Sequence, residues 1–185
     1  MDSIRFACNQ IIHKGGNLNI FQLLRSIKSR HQELIAAWQE KSPTSIPVWK
    51  PSPWDSWKLN FDVAIRKSFA FAAVVCRNSE GHILFARTKR LPPCGPLVGE
   101  ARAALFAAQE AFLLPVLPII LEGDSLLVIE AIKNGGNRGD WHISPLLADI
   151  CNLASCRDLW HFEHVKRDTN VLAHHLVQWA SSMSL

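Results

Sequence analysis

A chain of 185 residues that is 48% hydrophobic carries enough apolar side chain for one buried core plus an extension, which excludes a wholly disordered polymer. Twenty Lys and Arg against 16 Asp and Glu leave a formal charge of +4, which favours anionic partners such as nucleic acid over basic ones. Five cysteines, an odd number with no Cys-x-x-Cys pair, argue against a disulfide framework, a disulfide-linked partner and a zinc ribbon, and suit a reducing intracellular compartment, nuclear or cytoplasmic.

Residues 1–6 include Asp2 and lack the basic-then-apolar run of a secretory signal. Ile20, Leu23, Leu24, Ile27, Leu34, Ile35 and Trp38 then recur at mostly three- and four-residue intervals, which predicts an amphipathic helical arm. Pro43, Pro47, Pro51 and Pro53 remove helix donors and fix an extended path. The boundary is set there: residues 1–47 form an arm and linker, residues 48–185 one domain.

Trp57, Leu59, Phe61, Val63 and Ile65 alternate with Lys58, Asn60, Asp62 and Ala64, the period of a strand with Asp62 facing away from Phe61. Residues 69–77 and 82–89 flank Asn78-Ser79-Glu80-Gly81, a turn that predicts an antiparallel hairpin. Residues 100–114, rich in Ala, Leu, Phe and Glu, predict a helix opened by Glu100. The most apolar stretch, residues 112–121, is about half the ~20 residues of a membrane span and is cut by Pro115 and Pro118, so no membrane association is expected. Residues 119–124 read as a buried strand, 125–133 as a helix, 144–153 as a helix with Pro145 in its first turn, 158–166 as a strand and 170–182 as a closing helix. The order β-β-β-α-β-α-α-β-α describes an α/β fold with a five-stranded mixed sheet, antiparallel at its start and parallel later, and helices packed on its faces.

Three acids in this layout attract chemistry. Asp62 lies within a strand, where an unpaired carboxylate is costly unless it meets water, a cation or donors. Asp124 ends a strand just before a helix, where open α/β sheets place functional groups. Glu100 starts a helix after a Pro- and Gly-rich loop, so a first-turn structural role competes with a functional one, as a helix-cap role does for Asp124. Gathered together, the three would repel one another without a cation, and hard oxygen donors suit Mg²⁺ or Mn²⁺. In a two-metal site, ions about 3.5 to 4 Å apart activate water on one side of a phosphodiester and stabilise the leaving oxygen on the other.

Trp49-Lys50-Pro51-Ser52-Pro53, Lys58-Leu59-Asn60-Phe61-Asp62, Gly99-Glu100-Ala101, Leu121-Glu122-Gly123-Asp124-Ser125 and Arg167-Asp168-Thr169-Asn170 with Ala173-His174 stand in one order along the chain. In this the chain resembles the ribonuclease H-like domains of plant non-LTR retrotransposon polyproteins and their stand-alone relatives, over residues 49–180. The resemblance implies a ribonuclease H-like fold and a monomeric, metal-dependent endonuclease that hydrolyses the RNA strand of RNA/DNA hybrids. It implies that Asp62 bridges both metals, that Glu100 and Asp124 complete the leaving-group site, and that the last helix supplies a fourth acid. His174 stands in that fourth place, as it does in plant members; neutral imidazole is a poor Mg²⁺ ligand but an acceptable one for Mn²⁺. Val63 replaces a glycine-like neighbour of the first acid and would crowd a substrate backbone. Residues 166–170 are too few for the histidine-bearing loop of some bacterial members. Ser125, Lys166, Arg167 and Asn170 are the candidate nucleic-acid contacts, with a solvated-surface role as the alternative for the two cations.

The competing reading is a catalytically weak or inactive nucleic-acid-binding module derived from such a nuclease, motivated by His174 and Val63. A 3′ to 5′ exonuclease is disfavoured because Ala64 occupies the place of its second acid, and a transposase because Glu100 comes second rather than last. Glu122 shares strand parity with Asp124; an outer-sphere or surface role is favoured over an auxiliary acid. His161 and His164 are three apart on a strand, cannot easily share a metal and read as structural. His175 points about 100° around its helix from His174, so only one of the two faces the site. Trp49, Trp54 and Trp57 read as packing on the domain in preference to stacking on bases.

Overall fold

A computed structural model of the chain describes residues 49–53, 55–136 and 140–183. The expected arm and linker of residues 1–47, Trp54 and the tip of the glycine-rich loop lie outside the described residues. Strands β1 (Trp57–Ile65), β2 (Ala70–Arg77) and β3 (Ile83–Leu91) are followed by α1 (Pro96–Phe112), β4 (Ile119–Gly123), α2 (Leu126–Lys133), α3 (Ser144–Ser155), β5 (Trp160–His164) and α4 (Val171–Ser182). The sheet order is β3-β2-β1-β4-β5. β2 pairs antiparallel with β1 and β3, while β4 runs parallel to β1 and β5. This is the order and the mixed sheet that the periodicity predicts.

β1 is the central strand and both its faces are covered. Leu59 and Phe61 join the alanines of α1 in the larger core. Ala64, Phe71 and Ala73 pack with Val177 and Ala180 of α4 in a smaller one. β2 is buried along its whole length, in keeping with its place inside the sheet between β1 and β3. The β2–β3 turn closes as expected: Asn78 Oδ1 accepts from the backbone N–H groups of Glu80 at 3.1 Å and His82 at 2.9 Å.

One boundary moves with consequence for the site. α1 starts at Pro96 rather than Glu100, because Gly95 takes the extended N-cap conformation and proline at the first helical position loses only a donor that would be unpaired anyway. Glu100 therefore sits in the second turn, beyond the strongest part of the helix dipole, and a first-turn role no longer accounts for it.

Two glycines set how closely the layers approach. A Cβ at Gly99 would lie 3.3 Å from Val63 Cγ2 and 3.0 Å from Ile65 Cδ1, so the bare backbone of α1 makes room for the valine beside Asp62. Val63 is thus packed against α1. A Cβ at Gly123 would overlap the ring of Phe61, which is fully buried and has nowhere to go. Gly123→Ala is expected to cost roughly 2 to 3 kcal/mol, read as a lower denaturant midpoint at an unchanged slope; a midpoint within error of the parent would refute this packing.

Among the described residues Cys76, Cys94, Cys151 and Cys156 are free thiols, and no helix is long and apolar enough to cross a membrane.

Candidate metal centre

The parallel register pairs Asn60 with Glu122, and carried two residues further it brings Asp62, within β1, level with Asp124, just past the carboxyl end of β4. α1 lies over this end and brings down Glu100. One carboxylate oxygen from each of Asp62, Glu100 and Asp124 lies within 4.8 Å of the others. Residues some 38 and 24 positions apart in the chain thus meet as the sequence reading expects.

The electrostatics of this group are those of a site built for a cation. Glu100 is pushed up to about 8, first by burial and then by the charges of Asp124 and Asp62, with Arg167 opposing. Asp62 is also raised, mainly by burial and further by Asp124, against the hydrogen bonds from His174 and the Val63 N–H. Glu100 Oε2 is buried without a hydrogen-bond partner. A buried, unpaired oxygen next to two further carboxylates is stabilised by a hard divalent ion, so the donor set fits Mg²⁺ or Mn²⁺.

His174, on α4, does face the site, but as a hydrogen-bond partner rather than as a member of the acidic group. Its Nδ1 lies 2.8 Å from Asp62 Oδ2, and Arg167 Nη2 lies 3.3 Å from the same nitrogen. The two contacts demand opposite states of Nδ1, a donor toward the carboxylate and an acceptor toward the guanidinium. The shorter, charge-assisted contact to Asp62 wins, leaving Arg167 as a nearby positive charge. His175 is exposed, consistent with only one of the pair facing inward.

The candidate nucleic-acid contacts divide. Lys166 and Arg167 are exposed in the turn before α4, and Ser125 is half-buried at the N-cap of α2, where its hydroxyl makes no capping bond. Asn170 is corrected: it is 1% exposed, and its Nδ2 donates to the Phe61 carbonyl at 2.8 Å, tying the start of α4 to β1. Buried in this way, it braces α4 against β1 next to Asp62 and offers no exposed surface.

Glu122 is also corrected. It is neither a surface carboxylate nor an auxiliary ligand, because it is 2% exposed and both its oxygens are taken, by Lys58 Nζ at 2.5 Å and by Asn60 Nδ2 at 2.7 Å. Asn60 Oδ1 in turn accepts from Arg77, whose guanidinium stacks 3.4 Å above the Trp49 ring. The sequence reading missed this network, though its signal was present: Lys58, Asn60 and Asp62 share one parity on β1, as Glu122 and Asp124 do in the β4 segment. Trp49 packs on the domain as expected. His161 and His164 are both exposed and are not members of the acidic group.

Known proteins place these observations. Residues 60–180 match the family described as reverse transcriptase-like. A comparison with curated protein sequences gives no match. The fold is similar to that of RNase H1 from the halophilic archaeon Halobacterium salinarum, with a TM-score of 0.64 and 24% identity over 70% of this chain and 99% of that one. It is similar also to the N-terminal RNase H domain of a Mycobacterium tuberculosis protein, with a TM-score of 0.63 and 20% identity over 70% and 95% of the two chains. LC11-RNase H1, solved in complex with an RNA/DNA hybrid, gives 0.62 and 18% over 69% and 99%. The matched segment spans more than half of the chain and contains all three clustered acids, on a fold shared with ribonucleases H; the protein therefore belongs to the reverse transcriptase-like family and carries a ribonuclease H-like domain.

Proposed function

We propose that this protein is a divalent-metal-dependent endonuclease that hydrolyses the RNA strand of RNA/DNA hybrids. The observation that carries the reading is the convergence of Asp62, Glu100 and Asp124, with a buried Glu100 oxygen left without a partner. Mg²⁺ or Mn²⁺ held there would supply Lewis-acid activation of water and stabilisation of the leaving oxygen. The chain's own residues do the positioning. The Val63 N–H donates to Asp62 Oδ1 at 2.7 Å, so the carboxylate presents a fixed face to the site. Glu100 would hold the ion as the carboxylate, beside Asp62 and Asp124. Lys166 and Arg167 on the exposed turn supply positive charge for the phosphate backbone, with the Ser125 hydroxyl at the start of α2 as a further donor.

The finer assignments belong to the same proposal. The domain comprises residues 48–185, preceded by a helical arm and linker in residues 1–47; its origin is a plant non-LTR retrotransposon; it acts as a monomer; and His174 takes the fourth ligand place.

A labelled RNA/DNA hybrid incubated with the protein in Mg²⁺ or Mn²⁺ tests the activity. Cleavage of the RNA strand above an Asp124→Asn control is the expected result, and its absence in both metals would refute the nuclease reading.

One observation favours the second reading, a nucleic-acid-binding module with weakened catalysis. His174 already occupies one oxygen of Asp62, and the Val63 N–H the other, so the carboxylate is partly satisfied without a cation. A silent parent that binds hybrid, together with a His174→Asp variant that cleaves in Mg²⁺, would establish it; robust parental turnover would eliminate it.

A further inference from the structure

We propose that Asn60 and Glu122 act as a positioning clamp that sets the separation of Asp62 and Asp124 and thereby the affinity for the divalent ion, an inference that rests on the metal reading above. β4 ends at Gly123, so Asp124 lies beyond the last strand residue and its lateral position depends on what holds the strand ends together. Asn60 and Glu122 are a register pair, each two residues before a metal acid, which places them on the same sheet face and roughly 7 Å below the acids.

Their side chains make the cross-strand link at that level. Glu122 Oε2 takes the Asn60 amide at 2.7 Å, and Glu122 Oε1 takes Lys58 Nζ at 2.5 Å. Arg77 on β2 donates to Asn60 Oδ1, which fixes the amide so that its N–H points at β4. The hydrogen-bonded chain crosses β2, β1 and β4 with Lys58, Asn60, Arg77 and Glu122 all buried.

Stability alone is a poor reason for such an arrangement. Removing two cations and a carboxylate from water carries a desolvation cost that apolar side chains of similar volume would avoid. Lys58 and Arg77 are, moreover, directly paired across β1 and β2, so two like charges face each other and Glu122, ion-paired with Lys58 from β4, is the acid whose charge favours both. What the network supplies that an apolar patch would not is direction. Hydrogen bonds fix the β1–β4 distance and the alignment of the strands immediately beneath the acids, where small displacements alter cation coordination.

The test is a Mn²⁺ titration of the full chain, followed calorimetrically and by the spin signal of the free ion, with melting curves recorded in parallel. Asn60→Ala removes the amide link but leaves the Lys58–Glu122 pair. The paired change Lys58→Met with Glu122→Met removes both charges without leaving either uncompensated. Glu163→Gln is the control, since Glu163 is the register partner of Glu122 on β5 but is exposed. The clamp predicts that Asn60→Ala, and the paired variant where it folds, weaken Mn²⁺ binding by about tenfold or more while Glu163→Gln binds as the parent does. Folded Asn60→Ala protein that binds Mn²⁺ within about twofold of the parent would overturn the clamp. A parent that binds Mn²⁺ no better than Asp124→Asn would overturn the metal reading itself.

Discussion

Asp124→Asn is expected to lower hybrid cleavage by roughly 10³-fold or more while making the metal-free protein more stable. A metal ligand contributes several kcal/mol of transition-state stabilisation, and each ~1.4 kcal/mol is a factor of ten in rate. The gain in stability has a separate origin. Asp124 is the neighbouring charge that raises both Asp62 and Glu100, so a neutral amide removes repulsion within the cluster. A gain on the order of 1 kcal/mol is expected after solvent and protein screening. Single-turnover cleavage and thermal melts in chelator measure the two effects on the same samples. Cleavage at the parental rate, or a less stable metal-free variant, would contradict the placement of Asp124 in the cluster.

The second large effect is on how stability depends on pH. The folded protein holds Glu100 near 8, against 4.5 for an unperturbed glutamate, so between those values the folded state keeps a proton that the unfolded chain has released. Raising the pH through this window therefore favours unfolding, and the metal-free protein is most stable at the acid end with respect to this group. Asp62 is shifted the same way and adds to the trend. The loss is expected to be on the order of 2 kcal/mol between pH 5 and pH 8, below the full ~1.4 kcal/mol per unit because the clustered acids titrate together. Saturating Mn²⁺ should reverse the slope, since the ion binds the deprotonated carboxylates and its stabilisation grows as their protons leave. Melting curves at pH 5 and pH 8, with and without Mn²⁺, decide the matter. In Glu100→Gln most of the metal-free slope should vanish; a slope equal to the parent's would show that Glu100 is not its source.

Both predictions depend on residues whose types and order were legible before any fold was known. Asp62 inside a strand is anomalous against the local pattern, Asp124 and Glu100 have ordinary local roles open to them, and it was the order of the three that matched ribonuclease H-like domains. The five strands and four helices of the domain were legible for a similar reason: alternation, helical spacing and turn residues are properties of short segments. Gly95-Pro96 was misjudged because proline and glycine look like a loop until their positions at a helix start are known. What covers each face of β1 was not legible, because strand parity tells which residues share a face but not what packs on it.

By itself, the amino-acid sequence determined the element order, the mixed sheet and the three acids, because these follow from periodicity, from the cost of the unpaired charge of Asp62 and from the order of short motifs. Only the tertiary structure decided the fates of Glu122, Asn60, Asn170 and His174. Glu122 became the partner of Lys58 and Asn60, Asn170 a brace on the Phe61 carbonyl, and His174 the hydrogen-bond partner of Asp62. Each outcome depends on a contact between residues more than 60 positions apart, and a polar side chain's role is set by the distant group that satisfies it once water is removed.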